Sequence, residues 1–238
     1  MILSNTTTRK ELKFKVFFKD INKFYSWLLK SSFKKNFYKR GVNSLYYDTP
    51  NLDFALSNIS GESKRIKIRA RWYTKLHEDF SESFVKDNQV FRIEIKRKLN
   101  NLSDKIEFSK ISFKKKNSMQ ERKLFLKTEL KSNISNNPTL SKNSFQDIIF
   151  ICYNREYYEH FLSSDIRLTI DSNIFCSDST VSKNLNKSII SSNFFLVELK
   201  FKEFDNSLIK KIMKEFPFRQ VRSSKYLYGL SKYKRFSY

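Results

Sequence analysis

Cationic and apolar residues alternate along the segment from Arg65 to Tyr73. A β-strand points successive side chains to opposite faces, so this pattern predicts a strand with one cationic and one apolar face. The segment from Phe91 to Lys98 alternates in the same way. A polar loop, residues 74–88, joins the two segments, so they are predicted to be antiparallel neighbours. Because like charges directly across a sheet are destabilising, we expect a polyanion to bind between them.

Similar patterns place further strands and helices along the chain. Asp20 is a candidate N-cap for the first predicted helix, Gly61 closes the second helix, and residues 177–192 form a polar loop. The predicted strands cover residues 11–17, 43–47, 65–73, 91–98, 105–109, 148–157, 166–171 and 194–201, and the predicted helices cover residues 21–29, 52–59, 119–130, 205–216 and 224–233.

The number of strands, without a regular strand–helix alternation, predicts an α+β fold: an antiparallel eight-stranded β-barrel with flanking helices. Residues 9–238 are expected to form a single domain, and residues 1–8 a disordered N-terminal tail. Inward and outward residues alternate on every strand of a barrel, so one face of each strand can be collected into an interior. That interior is a charged tunnel with the following members: Glu11, Lys13, Arg69, Arg71, Glu94, Lys96, Tyr153, Arg155, Arg167, Thr169, Asp171, Glu198 and Lys200.

The chain is strongly basic, with a formal net charge of +23 and a pI of about 9.9. This favours an acidic partner: nucleic acid, a membrane surface or a phosphorylated substrate. Two cysteines are too few for a disulfide framework, so we expect a reducing, cytoplasmic setting. No signal-like or membrane-spanning apolar run occurs, and the chain is expected to be soluble. Structural roles are expected for His77, His160, Cys152 and Cys176.

An ordered set of short motifs resembles a known family. The set resembles the polyphosphate polymerase domain of the vacuolar transporter chaperone (VTC) type, within the triphosphate tunnel metalloenzymes. It extends from residue 9 to about residue 233. The motifs are Glu11-Leu12-Lys13-Phe14, Ser44-Leu45-Tyr46-Tyr47-Asp48-Thr49-Pro50, Arg69-Ala70-Arg71-Trp72-Tyr73, Glu94-Ile95-Lys96, Tyr153-Asn154-Arg155, Arg167-Leu168-Thr169-Ile170-Asp171, Glu198-Leu199-Lys200 and Ser224-Lys225-Tyr226.

The resemblance implies an eight-stranded tunnel that holds ATP and a growing inorganic polyphosphate chain. It implies transfer of the γ-phosphate of ATP to that chain, with release of ADP. Glu198 matches the ligand of a divalent metal, Mn or Mg, and Tyr153 would assist phosphate binding. The other positions expected to bind phosphate are Lys13, Arg69, Arg71, Lys96, Arg155, Arg167, Lys200, Arg222, Ser224 and Lys225, of which Arg69, Arg71, Lys96, Arg155 and Lys225 are the predicted catalytic residues.

One departure separates this chain from the adenylate cyclase and thiamine-triphosphatase branch of the superfamily. That branch begins with Glu-x-Glu-x-Lys, whereas this chain has Arg9-Lys10-Glu11-Leu12-Lys13 and lacks one carboxylate. The synthesis branch therefore fits better. A tripolyphosphatase or nucleoside triphosphatase, a sensor that only binds polyphosphate, and a nucleic-acid-binding module remain as alternatives. Interleaved acidic residues on the basic face argue against nucleic acid, and any translocation of product would need a membrane protein partner.

Overall fold

An antiparallel sheet dominates the computed structural model, which describes residues 9–76, 78–99, 102–113, 117–135, 137–138, 140–179, 190–202 and 206–233. The strands are β1 (Arg9–Phe17), β2 (Phe33–Asp48), β3 (Lys64–Thr74), β4 (Val90–Leu99), β5 (Leu102–Ser112), β6 (Gln146–His160), β7 (Ser163–Asp178), β8 (Ile190–Ser191) and β9 (Phe194–Lys202). The helices are α1 (Ile21–Lys30), α2 (Asp53–Ile59), α3 (Phe80–Val85), α4 (Met119–Ile134), α5 (Asn206–Glu215) and α6 (Lys225–Tyr233), with a 3-10 turn at Phe18–Asp20.

The strand order is β1-β9-β7-β6-β2-β3-β4-β5, with β8 beside β7, and every paired strand is antiparallel. The α+β class and the antiparallel sheet are confirmed. Among the described strands, the two end strands β1 and β5 do not pair with each other, so the expected barrel is a curled but open sheet. The backbone N–H of Val221 donates to the carbonyl of Lys13 at 2.8 Å, so the segment before α6 lies along β1. This segment takes up a hydrogen-bonding position on the free edge of β1, which is a physical reason why β1 does not pair with β5.

Apolar side chains hold helices against both faces of this sheet. On the convex face, α3 and α4 pack over β3 and β4 around Trp72, whose indole N–H donates to Ser83 at 2.9 Å. Helices α1 and α5 pack over β1, β7 and β9 around Phe14 and Phe24. Helix α6 covers one end of the concave face through Leu227. The rest of that concave face is left for charged side chains.

Helix α6 needs Gly229 for this close approach. A Cβ at that position would lie 2.7 Å from Ile149 Cδ1, on the floor of the concave face. A larger residue at this position would require the Ile149 side chain to move, so glycine lets α6 approach the sheet without that adjustment.

The structure extends several predicted elements and adds α3, the two-residue strand β8 and a 3-10 turn. Strand β7 extends to Asp178 and β8 covers Ile190–Ser191, so both ends of the loop predicted for residues 177–192 are strand. Strand β2 begins at Phe33 rather than residue 43; the sequence pattern did not predict this extension, because residues 34–39 are exposed and carry no apolar alternation. The short helix α3 lies within the loop predicted for residues 74–88. Asp20 occupies the N-cap position of α1 but makes no capping hydrogen bond through its side chain. Gly61 has the positive φ of +74° expected of a residue that ends a helix.

Four sequence predictions fall outside the described residues: the tail at residues 1–8, His77, the part of the polar loop at residues 180–189, and the start of the fifth helix at Asp205. Within the described ranges, no helix has both the length and the apolar character needed to cross a membrane.

Candidate functional site

The concave face brings together residues that are far apart in sequence. Lys13 on β1 pairs in register with Glu198 on β9, which in turn pairs with Thr169 on β7. Two residues further along each strand, Glu11 pairs with Lys200, and Lys200 pairs with Arg167. Paired residues point to the same side of a sheet, so the alternation in the sequence places these groups on one surface.

Glu198 lies among four cations. Its carboxylate oxygens are 3.1 Å from Lys225 Nζ, 3.4 Å from Lys200 Nζ, 3.5 Å from Arg155 and 3.9 Å from Lys13 Nζ, and the residue is 5% exposed. Burial acts to raise its pKa, but the four cations outweigh burial and hold the pKa well below its usual range. Glu198 is therefore a carboxylate at neutral pH.

Asp171 fixes two of these cations in place. It accepts two parallel hydrogen bonds from Arg155, at 2.6 and 2.7 Å, and contacts Lys225 Nζ at 2.5 Å. Burial raises the pKa of Asp171, and Arg155 and Lys225 lower it by more. The Tyr153 ring centroid lies 5.2 Å from the Arg155 guanidinium and 4.8 Å from Lys225 Nζ. A bidentate guanidinium pair of this kind specifies direction as well as charge.

Glu94 performs the same task on β4. It is 2% exposed, accepts from Arg69 Nε at 2.8 Å and from Arg69 Nη2 at 2.5 Å, and contacts Lys105 at 2.8 Å and Arg71 at 3.7 Å. Although burial raises the pKa of Glu94, Arg69, Arg71 and Lys105 lower it to well below the usual range. The expected repulsion between the two basic strands is therefore partly relieved inside the protein, which the sequence prediction missed.

Tyrosine hydroxyls accept hydrogen bonds from the terminal guanidinium nitrogens of Arg69 and Arg71. Arg69 Nη1 donates to the Tyr46 hydroxyl at 3.1 Å, and Arg71 Nη2 donates to the Tyr153 hydroxyl at 3.1 Å. Tyr153 therefore contacts cations from three elements: Arg71 on β3, Arg155 on β6 and Lys225 on α6. The sequence prediction placed this tyrosine in the site, and the structure places it at the centre of the cationic groups.

Lys67 is a partly buried cation that sequence reasoning placed on the cationic face but not among the site residues. It pairs across the sheet with Lys96, which pairs with Lys105, so three lysines form one row. Its ammonium donates to the Ser224 hydroxyl at 3.0 Å. Burial, followed by Lys13 and Lys96, holds the pKa of Lys67 well below its ordinary value. The signal available in the sequence was its position two residues before Arg69.

The start of α6 closes this side of the site. Ser224 is the N-cap, because its hydroxyl accepts from the backbone N–H of Leu227 at 3.4 Å. The Tyr226 hydroxyl donates to Asp48 at 2.6 Å, and the same carboxylate accepts backbone N–H groups of Phe54 and Ala55 at 3.0 Å each. Asp48 therefore joins α2 to α6, and this connection positions Ser224 and Lys225.

Three predicted phosphate-binding residues lie at the rim. Arg167 is exposed, and its Nε donates to the Ser164 carbonyl at 3.1 Å. Arg222 is exposed in the segment before α6. The Lys96 side chain is 45% exposed and its ammonium lies 3.4 Å from Glu11. Each retains a side chain free to move toward a ligand, and their roles remain predictions.

The carboxylates suit a metal that arrives with phosphates. Glu11 and Glu198 both contact the Lys13 ammonium, at 2.9 and 3.9 Å. Burial and Glu198 raise the pKa of Glu11, but lysine neighbours led by Lys13 bring it down to about 2. Within the described ranges, no cluster of three or more His, Cys, Asp or Glu forms a metal cage. Mg²⁺ commonly takes one or two carboxylates plus phosphates and waters, so this donor set fits.

The comparison with protein-family models decides the family of the chain. The family model described as VTC domain matches residues 8–234. The chain belongs to the VTC domain family. No curated protein matches it. The described face of this VTC domain includes residues from each of the matching motifs, from Glu11 on β1 to Lys225 on α6.

Solved structures share the fold of this VTC domain at low sequence identity. A Hippeastrum protein, described as an adenylyl cyclase candidate with a dominant triphosphatase activity, has a TM-score of 0.55 and 14% identity, over 93% of this chain and 94% of its own. The PH1819 protein from Pyrococcus horikoshii OT3 has a TM-score of 0.50 and 14% identity, over 95% and 98%. A proposed adenylate cyclase from Vibrio parahaemolyticus has 0.50 and 11%, over 95% and 99%. These likenesses establish the triphosphate tunnel type of fold.

Proposed function

We propose that this VTC domain is a metal-dependent polyphosphate polymerase. It transfers the γ-phosphate of ATP to the terminal phosphate of an inorganic polyphosphate chain and releases ADP. The observation that carries the proposal is the convergence of cations from β1, β3, β4, β6, β9 and α6 on one concave face, with Glu94, Asp171 and Glu198 placed among them. A polyanion that follows this face replaces carboxylates as the partner of each cation.

Phosphoryl transfer needs positioning and charge neutralisation more than covalent help from the protein. Arg69 and Arg71 lie two residues apart on one strand face, so their guanidinium groups start about 7 Å apart by strand geometry. Glu94 orients the first and Tyr153 the second. Two oriented guanidinium groups on one strand face suit binding to different, non-adjacent phosphates of the same chain.

In the proposed reaction an oxygen of the terminal phosphate forms a bond to the γ-phosphorus of ATP, and the bond from that phosphorus to the β-bridging oxygen breaks. The attacking oxygen is already ionised, so no general base is required. Lys225 and Arg155, both held by Asp171, neutralise charge on the transferred group. Glu198, with Glu11 beside it, would hold the divalent metal, which supplies charge neutralisation between phosphates.

The test is incubation of the purified protein with ATP and Mn²⁺, with gel analysis of phosphate chain length and separate assays of ADP and free phosphate. We expect ADP and a lengthening ladder, both lost in Arg69→Ala and Glu198→Ala. Lys131→Ala is the control. Lys131 is exposed on α4, which packs on the convex face of the sheet, so this variant should keep full activity.

The products also separate the alternatives. Free phosphate without a ladder would replace the polymerase by a hydrolase, in which water is the acceptor on the same face. Tight binding of polyphosphate without turnover of ATP would leave a binding protein. Retention of RNA that depends on salt but not on metal would favour a nucleic-acid-binding module.

A further inference from the structure

A cavity adjoins the concave charged face on the side of β2, β6 and β7. It has a volume of about 220 Å³ and is lined in part by Phe37, Arg40, Tyr157, Arg167 and Thr169. We call it the lateral pocket. Ligand pockets for whole small molecules begin at about 300 Å³, so this cavity suits one part of a larger ligand.

The strand register connects the lateral pocket to the proposed site of phosphoryl transfer. Phe37 pairs with Tyr157, Tyr157 pairs with Thr169, and Thr169 pairs with Glu198. Neighbouring strands are about 4.8 Å apart, so the Tyr157 position lies about 10 Å from the Glu198 position. A ligand with phosphates near Glu198 can extend its other end into the pocket without leaving this face of the sheet.

The lateral pocket presents flat surfaces. The Arg40 guanidinium carbon lies 3.8 Å from the ring centroid of Tyr73, 4.9 Å from that of Phe37 and 5.2 Å from that of Tyr157. Its Nε donates to the Tyr157 hydroxyl at 2.9 Å, which fixes the guanidinium plane. Phe37 is 45% exposed and stacks on the 67% exposed ring of Tyr38, with centroids 4.1 Å apart. Two aromatic rings thus remain open to solvent beside a fixed guanidinium.

The aromatic and guanidinium surfaces of the lateral pocket differ in chemistry from the concave face proposed to bind phosphate. Phosphate is bound by cations and N–H donors, and an exposed phenyl ring adds nothing to that. Aromatic rings and guanidinium planes are the groups on which nucleic acid bases stack. We propose that the lateral pocket binds the base of the nucleoside triphosphate whose phosphates occupy the concave face. This inference rests on the proposed function, and it assigns Phe37 and Arg40 to recognition of the nucleoside.

Separate binding measurements with ATP and with inorganic tripolyphosphate test the proposal, because only ATP carries a base. Titration calorimetry of Phe37→Ala should show ATP binding weakened by roughly 5- to 150-fold, the range that follows from loss of one stacking surface. Tripolyphosphate binding should change by less than about twofold. Phe37→Trp, which keeps a stacking surface, should retain ATP affinity. Phe125→Ala, on α4 and also 45% exposed, is the matched control and should change neither.

Equal weakening of both ligands in Phe37→Ala, or an unchanged affinity for ATP, would overturn the assignment of the base and leave the phosphate site intact. Wild-type protein that binds tripolyphosphate but shows no preference for ATP would do the same. Wild-type protein that binds neither ligand would refute the proposed function itself, and the base site with it.

Discussion

Tyr226→Phe removes one hydroxyl and tests how α6 is held over the site. The hydroxyl donates at 2.6 Å to Asp48, which is fully buried. A hydrogen bond to a charged group contributes about 1.5–3 kcal/mol, so we expect a loss of about 2 kcal/mol in the free energy of unfolding. For a chain of this size that corresponds to a fall in Tm of roughly 4–8 °C. Urea unfolding at pH 7 and thermal unfolding measure the two quantities.

The effect of Tyr226→Phe should depend on pH. Burial raises the pKa of Asp48 above its ordinary value, while hydrogen bonds from Tyr226 and from three backbone N–H groups act to lower it. Loss of the hydroxyl raises this pKa further. A raised carboxyl pKa means that the folded state binds more protons, so its stability falls as pH rises through that pKa. The gap between wild type and variant should therefore be widest above the pKa of Asp48 and should narrow at acid pH.

Tyr228→Phe is the matched control on the same helix. Its ring packs against Phe194 with centroids 5.3 Å apart, and the substitution leaves that ring in place. It should cost less than about 0.5 kcal/mol. If Tyr226→Phe costs no more than Tyr228→Phe, or if its cost is the same at pH 7 and pH 4, Asp48 does not anchor α6 as described.

Three further predictions concern the charged face and the sheet. Glu94→Gln removes the countercharge of the buried Arg71 and the half-buried Arg69 and should cost about 3–5 kcal/mol in urea unfolding, and a cost under 1 kcal/mol would contradict the pairing. Lys67→Met should raise Tm by roughly 2–4 °C, since it removes a partly buried ammonium bound only to the Ser224 hydroxyl among described residues, and should weaken tripolyphosphate binding. In the wild-type protein, phosphate binding should raise the depressed pKa of Lys67. Calorimetry in two buffers should then detect uptake of a proton by the protein on binding, and the affinity for tripolyphosphate should fall as pH rises through that pKa. Gly41→Ala should cost about 1–3 kcal/mol, because its Cβ would meet Thr74 Oγ1, and an unchanged Tm would show that β2 and β3 separate readily there.

Much of the fold was predictable because period-two alternation survives wherever one face of a strand is buried. This is why the segments around Arg69, Glu94 and Glu198 were placed on strands and their charged residues on one face. The first ten residues of β2 escaped prediction because most of them are exposed and carry no apolar period. The open edge at β1 was also invisible, since it depends on where the segment before α6 lies.

The sequence predicts which residues share the concave face better than it predicts which of them contact each other. Composition and alternation indicate that cations share a face, but the strand register decides which carboxylate meets which cation. Glu94 meets Arg69 because the two residues are directly opposite each other on β3 and β4, and it meets Lys105 on the next strand, β5. Lys67 meets Ser224 only because the start of α6 lies against this face. The aromatic lining of the lateral pocket depends on a β2 bulge between Phe37 and Arg40, which the pattern of apolar and polar residues does not predict.

The first strand and the last helix meet within the site, where Lys13 Nζ donates to the Ser223 carbonyl, 210 positions later in the chain. Translation follows the order of the sequence, so Lys13, Arg69 and Arg71 leave the ribosome before Asp171 and Glu198 have been made. A half-made chain therefore contains Glu11 and Glu94, the first carboxylate partners of these cations, but not Glu198, Tyr153 or Ser223. We therefore expect the full arrangement of charges on the concave face to form only after β6, β9 and α6 have been made.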